Sequence, residues 1–173
     1  MTHPAAPRPI DIRPIRDADQ RALARFYADL SPESFATRFH AAGHGIGDGA
    51  ARTFCCPDHE HREGLVAEAT DESGMPSIVG HVCLEPIDDD EAEVAVAVSD
   101  AWQRRGVGRA MLADSIRWSR AHGIRRLRAS VLWGNGPMLG LLRATGLPLS
   151  FVQIDCGVTE VQVDLEEPAR RAA

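Results

Sequence analysis

The sequence predicts an α/β fold whose strands come first as a meander and then as a β-α-β crossover. Three observations carry this expectation. Alternating apolar stretches follow one another at "GLVAEAT", "SIVGHVCLE" and "EVAVAVS", separated by the turns "DESGMPS" and "PIDDDEA". Between Val107 and His122 the apolar residues Val107, Met111, Leu112 and Ile116 then recur at helical spacing. Behind that helix come another short strand, another helix and a closing hairpin, which places helices and strands in one alternating domain.

Taken in order, "DADQRALARFYADL" reads as a helix with Asp17 at its N-cap and Gln20 three residues on. "SPESFATRF" starts a second helix, capped by Ser31 with Pro32 at the first helical position. The glycine-rich "AAGHGIGDGA" that follows reads as a flexible loop. After the three meander strands, Gly123 ends the Val107–His122 helix in the usual C-terminal position. "LRASVLW" is a strand, "GPMLGLLRAT" a helix closed by Gly146, and "SFVQIDC" with "TEVQVDL" the hairpin. The chain of 173 residues suits one domain, expected over 11–166 between a flexible N-terminus (1–10) and a flexible tail (167–173).

Composition narrows the function classes. A hydrophobic fraction of 44% and a charged fraction of 25% are those of a soluble globular protein. No apolar run approaches the roughly eighteen residues of a membrane span, and prolines interrupt the N-terminus where a signal peptide needs its apolar core. The expectation is a cytoplasmic protein without a membrane partner. Cys55, Cys56, Cys83 and Cys156 form no C-x-x-C and are expected as reduced thiols. "CCPDHEH" lacks paired ligand spacing, so no metal is expected; His59 and His61 read as solvent-facing and His81 as a satisfied sheet histidine.

The formal charge is -6, yet between Gln103 and Ile154 nine arginines face a single acid, Asp114. That local excess suits a phosphorylated ligand, and a solvated arginine face is the alternative. An aromatic fraction of 5% and the net negative charge argue against a nucleic-acid partner. All nineteen basic residues are arginine, so the protein has no lysine side chain of its own to be acetylated.

The turn "QRRGVG", Gln103 to Gly108, sits where the third meander strand gives way to the Val107 helix. A strand entering a helix through glycines presents unpaired backbone N–H groups at a dipole-positive end, a natural pyrophosphate cradle. Arg104, Arg105 and Arg109 add full charges. It is not a P-loop, because no lysine is available, and Met111 stands where a dinucleotide fingerprint needs its third glycine.

"QRRGVG" within "VAVSDAWQRRGVGRAML" resembles the Q/R-x-x-G-x-G/A motif of the GNAT superfamily of N-acetyltransferases, and "NGPMLGLLRATGL" resembles that family's second motif. The resemblance covers roughly Leu65 to Leu149. It implies the GNAT fold, a mixed and mostly antiparallel sheet of about six or seven strands flanked by helices, with a splayed acetyl-CoA cleft. Acetyl-CoA is then the co-substrate. Gln103, Arg104, Arg105, Gly106, Val107, Gly108 and Arg109 would hold its pyrophosphate. The backbones of Val96, Ala97 and Val98 would pair with the pantetheine arm, as would Asn135, for which a helix cap is an equally good reading. "LSPES…RF" (Leu30–Phe39) and "AEVA" (Ala92–Ala95) are closer still to the GNAT domains of bacterial protein lysine acetyltransferases, whose targets include acyl-CoA synthetases. The implied acceptor is a protein lysine, with a small-molecule amine next and a non-catalytic acyl-CoA sensor as the rival. The protein is expected as a monomer or homodimer.

An incoming lysine amine, with a pKa near 10.4, arrives protonated and needs a base. The resemblance places the catalytic glutamate at Glu93, at the start of the central strand. Alternation puts Glu93 on the face of Ala95 and Ala97, opposite Val94, Val96 and Val98. Without the resemblance, a strand-edge charge after an acidic turn accounts for it too. Asp88 to Asp90 and Glu91 read as solvated neighbours. Where many members place a tyrosine as general acid, this sequence has Leu142; its only tyrosine, Tyr27, reads as a packing residue. Arg38 and Phe39 belong to a segment that shapes the acceptor side in the family, although an amphipathic helix explains them equally.

Overall fold

The computed structural model describes residues 10–70 and 74–166, with the backbone alone at 153–155. The elements run β1 (Ile10–Pro14), α1 (Gln20–Ala28), α2 (Pro32–Phe39), α3 (Asp48–Cys55), β2 (Glu63–Thr70), β3 (Pro76–Asp88) and β4 (Glu91–Val98). They continue with α4 (Val107–Ala121), β5 (Arg126–Leu132), α5 (Gly136–Arg143), β6 (Leu149–Asp155) and β7 (Val158–Asp164). The strands form one seven-stranded sheet in the order β1-β2-β3-β4-β5-β7-β6. Every neighbouring pair is antiparallel except β4 with β5. The fold is therefore the mixed, mostly antiparallel sheet flanked by helices that the sequence implied.

Each sheet face supports its own core. On one side Val94, Leu84, Val82 and Leu127 pack with Val107, Met111 and Leu112 of α4 and with Leu142 of α5, with Val96 and Val98 at the edge of the cluster. On the other, Val66, Ile78 and Ala97 pack with Leu23, Phe26 and Tyr27 of α1, Phe35 of α2 and Cys55 of α3. The strict alternation of β4 thus sends Ala92 and its valines toward α4 and α5 and Ala97 toward α1–α3. At the centre of the second core, the hydroxyl of Tyr27 and Nδ1 of His81 share a 2.8 Å hydrogen bond, with both residues fully buried. Burial without such a partner would cost each polar group on the order of 1–3 kcal/mol. Tyr27 is a packing residue and His81 a satisfied one, as expected. Cys55, Cys56 and Cys83 are free thiols.

Four expectations change. β1 was not anticipated: its alternation is a bare Ile10 and Ile12, and Pro14 ends it, which an edge strand tolerates. Ile10 therefore belongs to the sheet, while 1–9 and 167–173 lie outside the described residues. The supposed loop at Ala41–Ala50 holds the first turn of α3, which forms behind Gly47 because Ala51 and Cys55 are buried against the second core. Tertiary burial there overrides the glycine signal. Asp17 is not a helix cap; it opens a 3-10 turn and accepts from the Gln20 amide, and α1 starts only at Gln20. Ser31, by contrast, caps α2 as expected, accepting from the Ser34 N–H at 3.2 Å.

The arginine-rich segment also resolves into separate roles. Arg117 pairs with Asp114, Arg125 with Glu166, Arg126 with Asp90, and Arg128 with Glu91 and Glu160, while Arg120 donates to the Leu165 carbonyl. Arg120, Arg125, Arg126 and Arg128 thus tie α4 and the β5 region to their neighbours, while Arg117 pairs within α4.

Burial holds the His81 imidazole down at about 3, against an ordinary value of 6.5. Below pH 6.5 the unfolded chain takes up a proton that the folded chain refuses, so stability is fully present above 6.5 and falls as the pH drops from there toward 3. This one group gives a slope of up to about 1.4 kcal/mol per pH unit. Urea unfolding at pH 7.5, 6.5 and 5.5 should show that loss, and His81→Gln should flatten it. An unchanged slope in the variant would assign the acid sensitivity elsewhere.

Candidate active site

The site originates in a change of strand partner. β4 and β5 pair in parallel at three positions only, Glu91 with Arg126, Ala92 with Leu127 and Glu93 with Arg128. Beyond Glu93, β4 continues beside β3 as far as Val98 opposite Gly80, while β5 stays with β7 as far as Leu132 opposite Val158. The edge of β4 from Ala95 to Val98 is left without a strand on its β5 side. Backbone N–H and C=O groups there stay open to an extended ligand, as a sheet edge does to an added strand. The opening is a cleft of about 810 Å³, walled by α2, β4, the Gln103–Arg109 turn, the end of β5 and α5.

Val96, Ala97, Val98, Gln103, Arg104, Gly106, Gly108, Arg109 and Asn135 all line this single cleft. Three other expected residues do not. Arg105 lies over the Trp102 ring, 5.4 Å from its centroid. Val107 is sealed in the core at 1% exposure and can offer a ligand only backbone. Glu93 stands one residue before the first lining position.

The turn is shaped by its dihedrals. After the 3-10 turn Asp100–Trp102, Arg104 adopts φ +57° and Gly106 φ +86°, both left-handed, and α4 begins at Val107. Gly106 suits that conformation because no Cβ crowds the following carbonyl. Gly108 is under no such demand: its φ is not left-handed, and a Cβ there would make ordinary contact, 3.4 Å from Leu141 Cδ2. The first N–H groups of α4 have no intrahelical acceptor and meet the charges of Arg104 and Arg109 at the cleft.

The same turn is braced from the start of α2. Asp100 accepts from the Ser31 N–H at 3.0 Å and from the Ser31 and Ser34 hydroxyls, each at 2.7 Å. The Gln103 amide donates to Ser34 Oγ at 2.9 Å and to the Val98 carbonyl at 3.1 Å. These bonds hold the Asp100 carboxyl below its usual range against the effect of its own desolvation. The Gln103 side chain is thus committed to the protein. Nothing in the sequence flagged Asp100, Ser31 and Ser34 as one unit, because the bonds span α2 and the turn.

The carboxylates near the start of β4 have different fates. Glu93 is exposed and receives a 3.3 Å hydrogen bond from Ser130 Oγ, a cleft residue. Glu91, expected to be solvated, is instead 3% exposed and ion-paired with Arg128 and Arg126. Asp90 is held by Arg126 at 2.6 Å. Of these three, Glu93 alone stands both beside the cleft and clear of an arginine partner among the described residues.

Asn135 caps α5, its Oδ1 accepting from the Met138 N–H at 3.1 Å, so the capping role is realised while the residue also lines the cleft. Leu142 is fully buried in the core and brings no proton donor to the cleft. Sequence reasoning did not single out Ser130, Glu33 or Trp133, which also line it; Trp133 is 84% exposed on the β5–α5 turn. Among the described residues no cluster of His, Cys, Asp or Glu could hold a metal, and no helix is long and apolar enough to cross a membrane.

Comparison with known proteins agrees with this geometry. The sequence matches the Acetyltransferase (GNAT) family over residues 23–147. The structure is similar to the GNAT domain of S. lividans PAT, at 31% identity and a TM-score of 0.79, covering 88% of this chain and 89% of that one. It is similar in fold to a phosphinothricin acetyltransferase (Pat) from Sinorhizobium meliloti in complex with acetyl-CoA, at 18% identity, TM-score 0.69 and 94% of each chain. It is likewise similar to the ribosomal-protein-S18-alanine N-acetyltransferase of Escherichia coli, at 14% identity and TM-score 0.67, over 95% of this chain and 99% of that one. A sheet parted at one parallel pair, a glycine-and-arginine turn at the parting and a match over most of the sequence lead to one conclusion: the chain belongs to the GNAT family of acetyltransferases.

Proposed function

We propose that the protein transfers the acetyl group of acetyl-CoA to a primary amine, with Glu93 as general base. The observation that carries this reading is the open edge of β4 from Ala95 to Val98, which ends at Glu93 on one side and at the phosphate-binding turn on the other. An extended pantetheine arm fits against that edge. The pyrophosphate then falls at Gly106, Gly108, Arg104 and Arg109, and the thioester near Ala95 and Ser130. Glu93, steadied by Ser130, takes a proton from the incoming ammonium, directly or through a water. The neutral nitrogen forms a bond to the thioester carbonyl carbon as the carbon–sulfur bond breaks. The nitrogen sheds its remaining extra proton to solvent, and the departing thiolate is protonated from water, because Leu142 offers it nothing.

The favoured acceptor is a protein lysine. Its support is the likeness of "LSPES…RF" and "AEVA" to the GNAT domains of protein lysine acetyltransferases; the first segment forms α2, whose Glu33, Ser34, Thr37 and Arg38 wall the cleft. A small-molecule amine is the second reading, and the charge arrangement described in the next subsection favours it. A lysine-containing peptide and a panel of simple amines, compared at equal concentration for free-CoA release, separate the two.

Acetyl-CoA at a hundred times its Kd should stabilise the folded chain by about 2.7 kcal/mol. That corresponds to roughly 5–10 °C in Tm for a chain of this size. Desulfo-CoA should act similarly, and NAD should not. Arg109→Ala should weaken acetyl-CoA about fivefold, as the loss of one exposed phosphate contact would. No shift with either CoA compound would remove the cofactor assignment.

Glu93→Gln should lower kcat by about 10²–10⁴ while the Kd for acetyl-CoA stays within roughly threefold. The variant keeps the size and the hydrogen bond to Ser130 but cannot accept the proton. Near-normal turnover between pH 6 and 9 would exclude Glu93 as the base.

A further inference from the structure

Arg38, in the last turn of α2, lines the cleft, and among the described residues no anion neutralises it. Its Nε is sealed from solvent and has no hydrogen-bond partner. Its Nη2 donates to the Cys83 thiol at 3.4 Å, a weak acceptor. The Phe39 and Phe54 rings lie 4.9 and 5.8 Å from its guanidinium carbon, and the neighbouring Tyr27 and Cys83 stay protonated because burial raises both. No carboxylate among the described residues pairs with it. The other partly buried arginines, Arg13, Arg62, Arg126 and Arg128, each grip at least one carboxylate.

A buried cation without a counter-ion is costly, and an apolar side chain of the same length would fill that space at less expense. What a guanidinium gains in such a setting is a strong, planar, two-pronged grip on a carboxylate. The sheet register gives the position of this cation relative to the reacting centre. Cys83 lies opposite Ala95 and Glu85 opposite Glu93, so Arg38, bonded to Cys83, stands over the face that carries Ala95 and Glu93. One strand across and two residues along amount to about 8 Å in the sheet plane. A molecule with its amine toward Glu93 and its carboxylate a few bonds away would span that distance, and so would an acyl chain ending in a carboxylate.

We infer that Arg38 is a carboxylate-binding site at the inner end of the cleft, receiving a carboxylate carried by the amine acceptor or by the far end of the acyl group. The site rests on the reading of Glu93 and the open β4 edge as the place of transfer, and it adds charge selection to that reaction. An amino acid is then preferred over its decarboxylated amine, or succinyl-CoA over acetyl-CoA.

Two arms on the full chain distinguish the sources. In the first, calorimetry compares succinyl-CoA with acetyl-CoA. In the second, with CoA bound, the stabilisation produced by the twenty L-amino acids, tested singly, is compared with that of the corresponding decarboxylated amines. At least one arm should favour the carboxylate-bearing member tenfold or more. That preference should shrink below about threefold in Arg38→Met and be partly kept in Arg38→Lys, which retains the charge but loses the fork. The ratio within each pair cancels any general damage to the cleft. If Arg38→Met does not fold, the wild-type preference and its loss or retention in Arg38→Lys decide. No preference in either wild-type arm, or one that survives both substitutions, overturns the assignment. Failure of both CoA compounds to bind at all would instead remove the acetyltransferase reading on which it rests.

Discussion

The cleft exists because the hydrogen bonding between β4 and β5 stops after three residue pairs. A parallel ladder that continued would saturate the backbone of Ala95–Val98 and close the sheet. What holds the strands together up to that point is unusually specific. Glu91, buried at the junction, is gripped by Arg126 and Arg128 of β5, and Arg128 reaches on to Glu160 of β7. Past it, β5 commits to β7 and β4 to β3, so each strand keeps a full ladder on one side only. The ion pair sits where the fork begins, and the run of β4 beyond it, to Val98, separates Glu93 from the glycine-and-arginine turn.

This division also explains why adjacent glutamates on one strand differ in chemistry. Glu91 and Glu93 share a face by alternation, yet one is a structural anion consumed by two arginines and the other faces the opening beside Ser130. A carboxylate whose oxygens are taken by two guanidinium groups and sealed from solvent is not free to meet a ligand. Exposure and proximity to the cleft, rather than position in an acidic run, separate the two.

Much of this was legible in the sequence because the constraints are local. "QRRGVG" needs its first glycine for a left-handed backbone, and that need can be read from residue type. The alternation of "EAEVAVAV" gave the two faces of β4, and Ser31 with Pro32 gave the start of α2. The fates of Glu91, Asp100 and Arg38 were not legible, since each depends on partners 30–70 positions away that only the fold brings together. α3 was hidden because its helix rests on burying Ala51 and Cys55 under a core assembled from other elements. β1 was hidden because five residues carry too little pattern to stand apart from neighbouring prolines. The density of arginine after Gln103 overstated the charge at the cleft, since Arg120, Arg125, Arg126 and Arg128 are bonded to neighbouring elements and only Arg104 and Arg109 line the opening.

The bonds from Asp100 to Ser31 and Ser34, with Gln103 closing the loop to Val98, join α2, β4 and the turn into a single braced wall. The opposite wall, β5 with Trp133 and α5, has no comparable set of side-chain bonds to it among the described residues, and its chain turns at a left-handed Gly134. The two sides of the cleft are therefore unequally cross-linked. Loss of any one partner in the first wall would be felt along all of it, since α2, the end of β4 and the turn share a single set of hydrogen bonds.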